Sequence, residues 1–184
     1  YNIIAESFNG KPLTGPNDVF VDREGGIYFS DSFPGSELRK PEYCVYYIAP
    51  GTSELKQISK HHYKDKGIHI SADGEWIYIA DFGGRKVYRY ELIAPGVLGK
   101  EELFIDTRCG GMTVDAEGNV YVSTVGDFKG VLVYNSEGEP LGQIMFPEAT
   151  TNVTFAGPDR NKLIVTTFKS LYSLDMNIRG MELR

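Results

Sequence analysis

The sequence predicts an all-β fold made of four similar blades, each a small antiparallel sheet. The first observation is an internal repeat, in which four segments share one pattern and start 41 to 49 residues apart. The second is the order inside each segment, where an apolar strand, a tight turn and a second apolar strand form the pattern of a β-hairpin. The third is the composition, because 21 glycines, 12 tyrosines and 10 phenylalanines favour short strands and tight turns. This repeat length is typical of the four-stranded blade of a β-propeller.

Each repeat supplies one hairpin and one further strand pair. The hairpins occupy residues 19–31, 68–81, 112–124 and 153–167, and the acidic residue and glycine of the first three turns lie at 24–25, 73–74 and 117–118. The alternating strands that follow them cover residues 45–48, 86–92, 130–135 and 170–174. Residues 52–66 lack a helical stripe and predict a strand and a polar loop, in which His61 and His62 face solvent. Residues 1–15 fit part of a preceding blade, so we expect residues 1–184 to form one propeller domain that is incomplete at its N-terminus.

Composition and charge exclude several classes of function. The net charge of −6 at pH 7 argues against nucleic-acid binding, which needs a basic surface, and against docking on anionic lipid. The longest unbroken apolar run is the six residues 44–49, whereas a membrane-spanning helix needs about 20. We therefore expect no nucleic-acid partner and no membrane span, while the oligomeric state stays open.

The two cysteines, Cys44 and Cys109, predict free thiols. A scaffold that depends on disulfides carries more cysteines than this, so two buried, reduced side chains are expected. This favours a cytoplasmic protein. The N-glycosylation pattern at residues 152–154 is common by chance and leaves secretion open.

Three motifs resemble those of the gluconolactonase family, also called the SMP-30 or regucalcin-like family. Residues 9–22 read NGKPLTGPNDVFVD, close to the family pattern NGKxLxxPNDxxV. Residues 109–121 read CGGMTVDAEGNVY and resemble PDGMxxDxxGNxY, and residues 152–166 resemble NxxFGGPDxxxLYVT. The resemblance covers essentially the whole chain. It implies a six-bladed propeller, of which this chain supplies the last four blades, with calcium in the channel and hydrolysis of sugar lactones or related esters.

The resemblance also implies where the calcium ligands belong, which is at the openings of the innermost strands. The family supplies a Glu from its first blade, the Asn of PND, the Asn of PNG and the Asp of PDG, which suits a cation that takes about six to eight oxygen ligands. Asn17 matches the Asn of PND. Lys66 stands where the Asn of PNG is expected, and Gly110 stands where the Asp of PDG is expected. The resemblance therefore implies a degraded calcium site in which Asn17 is the remaining visible ligand.

Lys66 changes the charge of this site as well as its ligands. Two unit charges about 4 Å apart interact by roughly 4 kcal/mol at an effective dielectric constant near 20, so a cation here opposes calcium. We expect the Lys66 ammonium to face the channel and to replace part of the charge that calcium supplies, while Asn17 hydrogen-bonds to Lys66 or to water instead of to a metal. The alternative is a shift of one residue that turns Asp65 inward. Asp18 and Asp65 are the two carboxylates that could compensate for the lost ligands.

Two functions remain open on the sequence. A metal-assisted hydrolase that acts on a small-molecule lactone or ester follows from the resemblance over the whole chain. A noncatalytic or repurposed propeller, whose channel binds a small molecule or whose rim binds a protein, follows from the changed ligand positions. The chain contains no G-x-S-x-G elbow and no phosphate-binding loop, and the sequence assigns no catalytic residue.

Overall fold

The computed structural model describes residues 1–32, 44–59, 62–126 and 128–182. The regular structure in these ranges is β-strand throughout, which confirms the predicted all-β class. None of these residues belongs to a helix long and apolar enough to cross a membrane. The strands are β1 (Ser7–Phe8), β2 (Lys11–Pro12), β3 (Pro16–Val21), β4 (Ile27–Asp31), β5 (Cys44–Ile48), β6 (Leu55–Gln57), β7 (Asp65–Ile70), β8 (Trp76–Asp81), β9 (Lys86–Ala94), β10 (Val97–Ile105), β11 (Cys109–Val114), β12 (Val120–Thr124), β13 (Gly130–Tyr134), β14 (Pro140–Met145), β15 (Thr150–Ala156), β16 (Lys162–Thr167) and β17 (Leu171–Asp175).

Strands β3–β17 form four blades in chain order, each an antiparallel meander, and β1 and β2 pair as a separate two-stranded sheet. Strands β3–β6, β7–β10 and β11–β14 make the four-stranded blades, and β15–β17 make a three-stranded one. The first strands of successive blades contact one another, β3 with β7, β7 with β11 and β11 with β15. These four strands are therefore the innermost ones and surround a common axis, as in a β-propeller.

Acidic side chains fix the hairpin turns. Asp22 Oδ1 accepts hydrogen bonds from the backbone N–H groups of Glu24 and Gly26 at 3.0 and 2.7 Å. Gly25 has a φ of 89°, a left-handed conformation that glycine adopts without strain. Asp115 repeats this arrangement in the third blade. The turns predicted from the acidic residue and glycine are confirmed.

The main hydrophobic core lies between neighbouring blades. Ile77, Ile79 and Val87 of the second blade are fully buried and belong to one cluster with Val120 and Val122 of the third. Side chains from both faces of these strands are buried, because each blade packs against another on either side. This packing holds the innermost strands in place around the axis.

Both cysteines are buried and neither forms a disulfide, as the sequence predicted. Cys109 opens β11, and its thiol donates a hydrogen bond to the carbonyl oxygen of Gly111 at 3.4 Å. Burial raises the pKa of Cys109 well above its ordinary value, so this thiol stays protonated and is a poor nucleophile.

All four innermost strands are irregular where they begin. The register shifts between Pro16 and Val19, between Asp65 and Ile68, between Cys109 and Met112, and between Thr150 and Asn152. A β-bulge re-aims side chains and breaks the simple alternation of faces. The positions singled out from the sequence lie in three of these irregular openings, so alternation alone does not tell which way their side chains point.

Candidate functional site

The innermost strands enclose a cavity of about 380 Å³. Side chains from all four of these strands line it, so the cavity lies on the axis of the blades. Its walls mix apolar side chains with a few polar ones, which is the usual composition of a small-molecule site. The polar lining residues are Asp18, His69, Thr113, Asn152, Thr154, Arg160 and Thr166.

Asp18 supplies a carboxylate to this cavity. The backbone N–H of Ile68 donates to its Oδ2 atom at 3.2 Å, and the Asn152 side chain also hydrogen-bonds the carboxylate. Burial raises the pKa of Asp18 above its ordinary value of 3.8, although these hydrogen bonds act in the opposite direction. The result is a positioned carboxylate with increased basicity, which suits proton transfer.

Asn152 holds Asp18 from the opposite side of the cavity. Its Oδ1 atom accepts a hydrogen bond from the backbone N–H of Val153 at 2.7 Å, which leaves the amide NH2 group to donate to Asp18. A Cβ atom at position 111 would overlap the Asn152 amide, so glycine at that position makes room for it. The sequence did not indicate Asn152 as a site residue, because it is distant from Asp18 in the chain.

His69 is a neutral side chain in the wall of the cavity. Its Nδ1 atom lies 2.7 Å from the carbonyl oxygen of Ile70, and its ring packs on Phe20 with 4.6 Å between centroids. Burial lowers the pKa of His69 to about 4, and the charge of Arg160 acts in the same direction. The imidazole is therefore uncharged at neutral pH, and its Nδ1–H donates a hydrogen bond to the carbonyl oxygen of Ile70.

Gly110 lies in β11 where this strand packs closely against β15. A Cβ atom there would overlap the carbonyl oxygen of Thr151 and would lie 3.2 Å from the Ser123 hydroxyl oxygen. An aspartate at this position would require the two strands to move apart. Glycine thus removes a carboxylate donor and at the same time permits the close contact of the strands.

This contact predicts that Gly110→Ala destabilises the protein. Overpacking at such a site costs about 1–3 kcal/mol of unfolding free energy, which urea denaturation measures. Gly142→Ala is the matched control, because a Cβ atom at Gly142 meets no atom within 4 Å. Equal unfolding midpoints for the two variants would contradict the account of this strand contact.

Asp65 is fully buried and already engaged. Its carboxylate accepts a hydrogen bond from the Ser59 hydroxyl at 3.2 Å and pairs with His62 Nδ1 at 2.7 Å. His62 Nε2 in turn lies 3.0 Å from the hydroxyl oxygen of Tyr90. This chain of contacts joins the end of the first blade to the second, and none of its four side chains lines the cavity.

The prediction that His62 faces solvent is wrong, and His61 lies outside the described residues. His62 is 9% exposed and stacks on Tyr88 with 4.7 Å between ring centroids. Burial opposes its protonation, but the hydrogen bond and charge of Asp65 outweigh burial and raise the pKa of His62 above 6.5. His62, whose burial the sequence did not predict, therefore has a structural role.

Lys66 and Asn17 are not joined by a hydrogen bond in the described part of the chain, so the structure does not show the first of the two partners expected for Asn17. The Lys66 ammonium lies 4.2 Å from the centroid of the Phe82 ring. Asn17 is exposed and borders a separate groove next to Ile3 and Ile4. Burial lowers the pKa of Lys66, and the charge of Lys64 adds to this effect.

The donor set at these openings does not fit calcium. The three visible family positions offer one amide side chain at Asn17, an ammonium at Lys66 and no side chain at Gly110. The carboxylate of Asp18 is bound by N–H donors, and that of Asp65 by Ser59 and His62. Among the described residues, no group of three or more His, Cys, Asp or Glu side chains could hold a metal ion. Calcium prefers several carboxylate and carbonyl oxygens free of competing cations.

Antiparallel blades arranged around a common axis define the fold as a β-propeller, with a cavity lined by apolar and polar side chains on that axis. The chain belongs to the family described as the SMP-30/gluconolactonase/LRE-like region, whose profile matches residues 1–169. The family that the motifs resemble is thereby confirmed.

Known proteins similar to this chain include lactonases. It is 30% identical to the lactonase drp35 of Staphylococcus aureus over 163 residues, which is 81% of this chain and 49% of that protein. It is 25% identical to the lactonohydrolase oryL of Aspergillus oryzae in an alignment that covers 87% of this chain and 44% of that protein. The chain therefore spans about half the length of these relatives.

Solved structures show the same fold. A gluconolactonase from Xanthomonas campestris superposes with a TM-score of 0.81 at 28% identity, covering 93% of this chain and 60% of that one. A calcium-binding regucalcin from Agrobacterium tumefaciens superposes with a TM-score of 0.75 at 23% identity, covering 90% of this chain and 62% of that one. The second likeness establishes the fold alone.

Proposed function

We propose that the whole protein hydrolyses a sugar lactone or a related ester in its central channel, and that it does so without bound calcium. The observation that carries the proposal is the Asp18 carboxylate, which Ile68 and Asn152 hold at the cavity wall. Similarity to lactonases over most of the chain supports this substrate class. The mismatch between the donor set and calcium supports the second half of the proposal.

Asp18 acts as the general base in this mechanism. Its carboxylate accepts a proton from a water molecule while the water oxygen attacks the carbonyl carbon of the lactone. The tetrahedral intermediate then breaks the ring C–O bond, and the departing alkoxide takes the proton back from Asp18. The product is the open hydroxy acid, and the enzyme returns to its starting protonation state.

The other polar groups of the cavity orient the substrate and balance charge. Arg160 lines the same cavity and brings positive charge, which offsets the negative charge that develops on the carbonyl oxygen. His69 is uncharged at neutral pH, so it does not compete with Asp18 for the substrate as a second charged group. Asn152 fixes the carboxylate in place through its amide group.

Hydrolysis of neutral aldonolactones by the whole protein tests the proposal. Acid release in a pH-stat measures the rate directly, and we expect it to exceed the uncatalysed rate at least a hundredfold. Rates equal to the uncatalysed background for several ring sizes and sugars would contradict a lactonase function.

The second candidate is a propeller that binds a small molecule without turnover. The changed residues at Lys66 and Gly110 favour it, since a relaxed catalytic requirement permits such replacements. Calorimetric titration with the open aldonate separates the two candidates. Binding without any hydrolysis of the corresponding lactone supports the second candidate, and turnover supports the first.

A further inference from the structure

Two cations share one aromatic ring at the strand openings around the channel. The Lys66 ammonium lies 4.2 Å from the centroid of Phe82, and the Arg108 guanidinium carbon lies 5.1 Å from the same point. Lys66 belongs to the opening of β7, and Arg108 immediately precedes β11. We call Lys66, Arg108 and Phe82 the cationic cluster.

The backbone around Phe82 is firmly held. Its N–H donates to the carbonyl oxygen of Lys64 at 2.9 Å, and the Asp81 carboxylate accepts from the N–H groups of Lys64 and Gly84 at 3.2 and 2.8 Å. A Cβ atom at Gly83 would lie 2.8 Å from Tyr63 Cβ, so this turn packs closely on the chain before β7. The cluster is thus organised before any ligand arrives.

Positive charge in the cluster is not balanced by a carboxylate in the described ranges. None of the salt bridges there involves Lys66 or Arg108. The Arg108 Nε atom is buried and has no hydrogen-bond partner in the same part of the chain. In a protein with a net charge of −6, such a site is a local exception. A buried donor without a partner and two converging cations together indicate a place for an anion.

The cluster lies close to the cavity that holds Asp18. The Asp18 carboxylate accepts from the backbone N–H of Ile68, two residues after Lys66, at 3.2 Å. A Cβ atom at Gly67 would lie 3.0 Å from the carbonyl oxygen of Gly110, two residues after Arg108, so the openings of β7 and β11 meet beside the cavity. A small molecule whose carbonyl carbon is at Asp18 therefore brings a substituent within reach of the cluster. At the position where the family has a metal ligand, this chain has Lys66, whose side chain itself supplies a positive charge.

We propose that the cationic cluster is a subsite for an anionic substituent of the substrate, either a carboxylate or a phosphate group. Arginine can bind both oxygens of such a group through its planar fork, and lysine adds a point charge. This inference rests on the proposed lactonase function and narrows it to lactones that carry a negative charge. Both groups present negatively charged oxygen atoms, and the test distinguishes a carboxylate from a phosphate.

The test compares neutral and anionic lactones in the whole protein. The substrates are an aldonolactone, an aldarolactone with a free carboxylate, and a phosphorylated aldonolactone. The variants are Lys66→Met and Arg108→Gln, and Lys56→Met on the exposed surface of β6 is the control. We expect the unmodified protein and the control to have a higher kcat/KM for one of the anionic lactones. In both cluster variants the ratio of anionic to neutral kcat/KM falls at least tenfold.

A direct binding measurement separates this inference from the proposed function. Calorimetric titrations with inorganic phosphate and with the open aldarate need no turnover. Weaker binding of either anion to the cluster variants, but not to the control, supports the subsite even if no lactone is hydrolysed, and the tighter anion identifies the source. Equal anion binding in all proteins, or a preference for the neutral lactone that the variants keep, overturns it.

Discussion

Asp18→Asn is expected to lower kcat for lactone hydrolysis by about 10²–10⁴-fold, the usual contribution of a general base. Asparagine has nearly the same shape and can still accept the hydrogen bond from Ile68 N–H at the cavity wall. It cannot take a proton from water at neutral pH. Initial rates at saturating lactone concentration measure the effect, and KM should change much less than kcat.

A matched acidic substitution controls for general effects of charge. Asp159→Asn removes a carboxylate from an exposed position and should leave kcat within about twofold of the unmodified protein, as is usual for a surface substitution. Thermal melting of both variants checks that the fold is intact. If Asp18→Asn keeps full kcat, Asp18 is not the base and the proposed mechanism is wrong.

His62→Ala is expected to cost about 3–5 kcal/mol of unfolding free energy, because removing one partner of a buried pair leaves the other uncompensated. The uncompensated group is Asp65, which is fully buried and, among the residues that the structure describes, would retain only Ser59 as a side-chain hydrogen-bond partner. The loss of stacking on Tyr88 adds to the effect. Urea denaturation at neutral pH measures it, and Lys56→Ala on an exposed strand is the control.

The charge of His62 also makes this contribution depend on pH. The pKa of His62 is raised above 6.5, so the protonated form stabilises the fold fully below pH 6.5. The stabilisation is lost as pH rises through the higher folded-state pKa. His62→Gln keeps a hydrogen-bonding side chain without the charge, so its stability deficit should shrink above that pKa. A deficit that is constant across this range would contradict the charged pair.

The hairpins and turns can be predicted from local sequence because their causes are local. Asp22 and Asp115 bind backbone groups two and four residues further on, and glycine in each turn supplies the left-handed conformation. Such contacts lie within one short window of the sequence. The repetition of that window along the chain is therefore enough to predict the four-blade pattern.

The orientation of the site residues could not be predicted in this way. Asp65 and Lys66 lie in a bulge at the start of β7, where the expected alternation of faces does not hold. The Asp18–Asn152 contact joins residues of the first and fourth blades, which only the closed arrangement of blades brings together. The polar stretch around His62 indicates solvent exposure, while its partner Tyr90 lies 28 residues away.

Lactone hydrolysis by chelator-treated protein, with and without added calcium, tests the central claim most directly. In the proposed mechanism Asp18 acts as the base without calcium, so we expect the two rates to agree within about twofold, each far above background. A rate that falls to background in chelator and returns with micromolar calcium would contradict the account, because a functional calcium site would then exist despite Lys66 and Gly110.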